Sequence, residues 1–222
     1  AAVREGRTVY DNITKVISWT LPTNGGEAMT IIVALLFNMA LPITAVQILW
    51  INLVTDVTLG TALAFEPTEE NTMKRPPRPR SQPLLGGQLV WHITLVSVLF
   101  MVAGFGVYAH AVDKGYTVEL ARSMALNTIV ILEIFHLFFV RNIYGTSLTL
   151  KAARGTRIVW ATVVAVTLAQ FAVTYLPPLQ RIFGTAAVPL TDGLMLLAVG
   201  VAFFAILEAE KQLRLKLWRP RH

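Results

Sequence analysis

Apolar residues fall into six long runs, at about residues 16–40, 43–65, 89–111, 120–140, 158–176 and 191–210, each roughly 20 residues or more. A helix rises about 1.5 Å per residue, so each run is long enough to cross about 30 Å of hydrocarbon and predicts a transmembrane helix. Only a tight connection at Leu41 and Pro42 separates the first two, which predicts an antiparallel helical hairpin. Between the second and third, the segment Glu66 to Gln88 carries Lys74-Arg75-Pro76-Pro77-Arg78-Pro79-Arg80. Repeated prolines, each lacking an amide hydrogen, keep that run out of a helix. No internal repeat is visible, and the halves lack the inverted symmetry common in secondary transporters. The expected fold class is all-α, a polytopic membrane bundle of six transmembrane helices.

Composition agrees with that pattern. The chain is 55% hydrophobic and 14% charged, with a mean hydropathy of +0.59, too apolar for an ordinary soluble domain. It has no cysteine, which excludes disulfides, zinc fingers and thiolate paths for soft metals, so any bound metal must be held by oxygen or imidazole. The net charge of +6 raises the question of nucleic acid or anionic lipid, and the placement of the basic residues answers it. One side of the predicted membrane takes Arg4, Arg7, Lys15, Lys74, Arg75, Arg78, Arg80, Arg141, Lys151, Arg154, Arg157, Lys211, Arg214, Lys216, Arg219 and Arg221; the other has only Lys114, Arg122 and Arg181. Cytoplasmic loops carry the excess of Lys and Arg, so both termini are expected in the cytoplasm and nucleic acid is not an expected partner. The chain opens on Ala1 and a polar stretch with no signal peptide, as part of a longer protein would.

Three carboxylates interrupt the apolar runs: Glu27, Asp56 and Glu133. An ionisable group at membrane depth costs several kcal/mol unless it is paired or solvated, which makes each a functional candidate. Counted from Pro42, Glu27 and Asp56 lie roughly 21 to 22 Å from the outer ends of their helices, and Glu133 lies about 21 Å from Glu119. All three can share one layer if the fourth span packs beside the hairpin. Asn24 stands three residues before Glu27, and Asn52 four before Asp56, so each pair shares a helix face; Thr55 is adjacent. Any one of Asn24, Asn52 or Thr55 alone also serves as interhelical glue. Together, Asn24, Glu27, Asn52, Thr55, Asp56 and Glu133 offer oxygen ligands in the number a hard cation such as calcium takes. Pro22 and Gly25-Gly26 predict a bent or loosened first span whose freed carbonyls add further oxygen.

These residues also carry a resemblance. Glu5-Gly6-Arg7, Tyr10-Asp11-Asn12, Asn24-Gly25-Gly26-Glu27, Leu49-Trp50-Ile51-Asn52-Leu53-Val54-Thr55-Asp56, Thr61 to Pro67 and Met73 to Arg78 resemble the fifth and sixth membrane helices and following loop of P-type calcium pumps. Met124-Ala125-Leu126 with Glu133 resembles the eighth. The resemblance implies metal ligands at Asn24, Glu27, Asn52, Thr55, Asp56 and Glu133, with Asp56 bridging two ion sites. It implies the ion-binding transport half of an ATP-driven pump, exporting calcium from the cytoplasm in exchange for protons, in a bacterial plasma membrane. Sodium, manganese or protons on the same scaffold, or a free-standing channel or structural membrane subunit, are the alternatives. Its expected partners are lipid, the first four membrane helices and the actuator, nucleotide-binding and phosphorylation domains, where ATP and magnesium would bind. The family's Asp-Lys-Thr-Gly phosphorylation motif does not occur, so this chain alone is not expected to hydrolyse ATP.

Other residues carry weaker expectations. His136, one turn beyond Glu133, is either a proton-exchange partner for it or an interhelical hydrogen bond. His92, His110, Trp91, Tyr108 and Trp160 are expected at the membrane interface. Gln170 is expected to be packing glue. Asn12-Ile13-Thr14 has the form of a glycosylation sequon on the wrong side of the membrane. Glu66, Glu69 and Glu70 are expected on a solvated loop face or against the phosphorylation domain. The segment Glu208 to His222 is expected to place its basic residues at lipid headgroups.

Overall fold

The computed structural model describes residues 2–68, 72–73, 86–141 and 155–217, and these residues form helices with no strand among them. In chain order they are α1 (Ala2–Leu36), α2 (Ala45–Trp50), a π-helical segment (Ile51–Asp56), α3 (Val57–Ala64), α4 (Gly87–Asp113), α5 (Val118–Val140), α6 (Arg157–Tyr175), α7 (Pro177–Phe183) and α8 (Leu190–Leu217). The stretch from α2 through α3 is one continuous rod, Ala45–Ala64. Five rods are long and apolar enough to cross a membrane: Ala45–Ala64, α4, α5, α6 and α8. α1 falls outside that group because its first half is polar and its second carries Asn24 and Glu27. The basic Pro-rich run, Glu69, Glu70 and the segment 142–154 lie outside the described residues.

α5 is the central element. Some 72% of its apolar window is covered by protein, against 28–44% for the other four rods. It packs on α4 and α8 and also touches α1, α3 and α6, so most of its circumference reads apolar: Met124, Leu126, Leu132 and Leu137 are fully buried. α1 lies chiefly on α4, and glycine makes that approach possible. A Cβ on Gly26 would stand 2.6 Å from Cβ of Phe100, and one on Gly25 would collide with the Ser97 hydroxyl. Gly200 plays the same part where α8 meets Ile131 and Phe135 of α5.

Several boundaries differ from the sequence expectation for local reasons. α1 ends at Leu36 rather than Ala40, because Asn38 adopts the left-handed conformation (φ 50°). Its neighbours close a Schellman motif, Met39 N–H donating to Ala34 O (2.8 Å) and Asn38 N–H to Leu35 O (3.3 Å). The turn to α2 therefore takes residues 37–44 and closes with a Thr44–Gln47 capping box. α1 is helical through Pro22 and Gly25-Gly26. The carbonyls expected to be free have protein partners: Ser97 Oγ donates to Pro22 O at 2.9 Å, and the imidazole of His92 lies against the carbonyl of Ser18.

The cytoplasmic-side expectations change most. Glu66 is buried and paired with Arg141 at 2.8 Å, not displayed on a solvated loop. Asn12 holds the end of α3, its Nδ2 donating to Ala64 O (3.0 Å) and Glu66 O (2.8 Å), where terminal carbonyls lack helical partners. Lys211, expected at the headgroups, is buried 2.8 Å from Glu208 with its ammonium 4.3 Å from the Phe139 ring centroid. Trp91 donates to Glu210 at 3.0 Å. His92 and Tyr108 are buried rather than interfacial, since both face neighbouring helices.

Candidate cation-binding site

The three intramembrane carboxylates arrive from three rods. Glu27 comes from α1, Asp56 from the π-helical segment and Glu133 from α5, and all three are buried. Trp19, fully buried, ties α1 to α5 at this level, its Nε1 donating to Glu133 O at 3.1 Å. Across the hairpin, Asn52 Nδ2 donates to Glu27 Oε2 at 2.9 Å. Glu133 lies against Thr55 and Asp56, with Glu27 close enough for its charge to be felt. Glu27 Oε1, Asp56 Oδ1 and both Oε atoms of Glu133 are buried with no hydrogen-bond partner. Four buried carboxylate oxygens in one region without a protein donor are expensive.

The π-helical segment explains how Asn52, Thr55 and Asp56 reach this region. A π turn accommodates one residue more than an α turn and interrupts the i to i−4 ladder. The site's own side chains serve nearby carbonyls: Asn52 Nδ2 also donates to Ile48 O (3.1 Å) and Thr55 Oγ1 to Ile51 O (2.7 Å). Beside the segment runs an open groove of about 490 Å³, lined by Val16, Thr20, Asn24, Asn52, Asp56, Val57, Gly60, Thr61 and Ala64. Asn24, Asn52 and Asp56 share this groove, whereas Glu133 is fully buried and does not line it. Thr20 and Thr61 line it too and were not singled out from sequence. Thr20 stands four residues before Asn24 on the same face of α1, a signal that was available. Among the described residues, no group of three or more His, Asp or Glu side chains is gathered closely enough to hold a metal by itself.

His136 makes an interhelical contact, its Nε2 3.0 Å from Nε2 of His92 in an aromatic enclosure that includes Phe100, Phe139 and Phe203. Gln170 bonds to Trp50 and Asn127.

Comparison with known proteins accords with this arrangement. The family model described as "Cation transporting ATPase, C-terminus" matches residues 40–213. A Mycobacterium tuberculosis protein named "Probable cation-transporting ATPase F" is 42% identical over 95% of this chain and 23% of its own length. "Cation-transporting ATPase pma1" of Synechocystis is 35% identical over 84% of this chain and 21% of its own. "Calcium-transporting ATPase" of Bacillus subtilis is 32% identical over 91% and 22%. The chain thus spans less than a quarter of the length of these relatives. With apolar rods surrounding a buried acidic layer, it belongs to the cation-transporting ATPase C-terminal family, the helical membrane region of a calcium-pump-like P-type ATPase.

Proposed function

We propose that this region binds and moves the cation of an ATP-driven pump, with calcium as the cargo exported from the cytoplasm. The observation that carries the proposal is the set of four orphaned oxygens on Glu27, Asp56 and Glu133, brought together from three helices. Such a cluster needs positive charge, and a cation or protons supply it in turn, which is the chemical basis of exchange. Asn24, Glu27, Asn52, Thr55, Asp56 and Glu133 are the proposed ligands. Amide, hydroxyl and carboxylate oxygens suit a hard ion held by six to eight oxygens at about 2.3–2.6 Å. The open groove beside Asn24 and Asn52 favours completion of the site by a helix from the rest of the pump. Phosphorylation in the partner domains would then shift helices, withdraw ligands and release the ion outside against protons.

On this proposal α1 is the sixth span, since its second half carries Glu27 into the layer of Asp56 and Glu133. The Lys and Arg asymmetry supports cytoplasmic termini, and the mycobacterial, cyanobacterial and Bacillus relatives support a bacterial plasma membrane. The decisive experiment is phosphoenzyme formation from labelled ATP in the full-length parent, titrated separately with calcium, manganese and sodium. Calcium-dependent labelling that Asp56→Asn abolishes is expected. Labelling that follows manganese or sodium would keep the site and change the cargo, while labelling indifferent to Asp56→Asn would refute the site.

A further inference from the structure

α6 contributes none of the proposed ligands, and most of its surface faces outward, yet it carries a buried amide, Gln170. Its hydrogen bonds run in one direction. The indole N–H of Trp50 can only donate, so Gln170 must present its oxygen there, and Oε1 accepts at 2.8 Å. That leaves Gln170 Nε2 to donate to Asn127 Oδ1 at 3.2 Å. Asn127 Nδ2 in turn donates to the Ser123 carbonyl (2.7 Å), an acceptor only, and to Thr174 Oγ1 (3.1 Å). A donor-only group at one end and an acceptor-only group at the other fix both amide orientations.

The chain ends at a sensitive point. Trp50 immediately precedes the π-helical segment, and Asn52 lies two residues beyond it. The same outer half-helix is held twice more: the Phe183 ring packs edge-on to Trp50 at 5.1 Å between centroids, and Gln47 Nε2 donates to Phe183 O at 3.0 Å. At the far end Asn12 secures the carbonyls of Ala64 and Glu66. A π turn differs from an α turn by one residue, so relaxing it would rotate the residues on one side by about 100° relative to those on the other. Clamped flanks oppose that rotation.

We infer that Gln170 is a positioning residue for cation binding: through Trp50 it holds the π-helical segment in the register that turns Asn52 and Asp56 toward Glu27 and Glu133. This rests on the proposed function of the acidic cluster. The effect is transmitted through one hydrogen bond, so its loss should weaken apparent cation affinity without removing a ligand.

The test uses the full-length parent, with calcium-dependent phosphoenzyme formation and thermal stability measured on Gln170→Leu, Trp50→Phe and the double variant. Each single change is expected to raise the half-saturating calcium concentration by about two- to ten-fold, the equivalent of one neutral hydrogen bond. In the double variant the shift should not exceed the larger single shift, because both remove the same bond. Trp50→Phe keeps a ring against Phe183, so it reads the hydrogen bond even if Gln170→Leu fails to fold. Wild-type calcium dependence with only a lowered melting temperature, or shifts that add in the double variant, would overturn the inference. Asp56→Asn in parallel separates the two levels: if it abolishes calcium dependence while Gln170→Leu titrates as wild type, only the inference falls. If Asp56→Asn itself titrates as wild type, the site and the inference fall together.

Discussion

Replacing Gly26 by alanine tests whether contact between α1 and α4 depends on the missing side chain. The new Cβ would lie 2.6 Å from Phe100 Cβ and 3.2 Å from the Ser97 carbonyl oxygen, against about 3.5–4.0 Å for carbon atoms in ordinary contact. Relief requires the helices to separate locally by about 1 Å. The Ser97 Oγ to Pro22 O bond, now 2.9 Å, would lengthen as they part. Overpacking of this kind costs about 1–3 kcal/mol, while alanine returns about 1 kcal/mol of helix propensity. Gly6→Ala supplies the correction, because Gly6 lies in the same helix with nothing within 4 Å of its Cβ direction. The difference between the variants isolates the packing cost, expected at about 1–3 kcal/mol in favour of Gly6→Ala. The assay is thermal unfolding of the full-length parent in detergent, comparing both variants with wild type. Gly26→Ala as stable as Gly6→Ala would refute the close-approach account.

Two further predictions concern charge. Glu66→Ala should destabilise by about 3 kcal/mol, because it removes one partner of a buried ion pair; replacing Glu66 and Arg141 together by Leu and Met should cost less, and thermal unfolding of the single and double variants checks this. Lys114 and Tyr116 of the α4–α5 loop meet the Asp192 carboxylate in the first turn of α8, 2.7 Å from Lys114 and 2.9 Å from the Tyr116 hydroxyl, which holds both of their pKa values above the ordinary range. The proton-bearing form of each is favoured in the folded protein, so their stabilisation is complete below the unfolded values of 10.0 and 10.5 and is lost as pH rises through the raised ones. A pH series of melting temperatures should show wild type losing its advantage over the Lys114→Met, Tyr116→Phe double variant in that alkaline window. Equal pH slopes for the two proteins would count against the contact.

The acidic layer was legible because a buried charge is rare and helix rise converts sequence intervals into depth. The partner that Glu27 finds across the hairpin is Asn52, one turn before the Asp56 with which the depth count matched it, and α1 stops four residues earlier than expected. The π-helical segment was not legible. Residues 51–56 contain neither Pro nor Gly, and the departure from α geometry is associated with flanking contacts from Gln170, Phe183 and Asn12, which stand 52 to 136 residues from the groups they touch. Pro22 was expected to loosen α1 and free carbonyls for an ion, but α1 stays helical through it because α4 supplies partners with Ser97 and His92, which only the packed structure reveals. Lys211 and Glu66 misled for a related reason: composition assigns long charged side chains to the surface, whereas each has a partner that only the packed structure reveals. His136 had two readings on sequence grounds, and its contact with His92 selects interhelical bonding.

The polar character of α1 also bears on how such a chain is made. Pro22, Asn24 and Glu27 share its second half, and each raises the free energy of placing an isolated helix in lipid. During synthesis α1 precedes the helices of this chain that bond to it: α2 and α3 bring Asn52 to Glu27, and α4, which serves the carbonyls of Ser18 and Pro22, emerges later still. The free energy of holding α1 in lipid consequently depends on contacts that its successors in the chain supply. Loss of the Ser97 contact with Pro22, which involves no proposed ligand, is expected to lower the amount of protein inserted in the membrane.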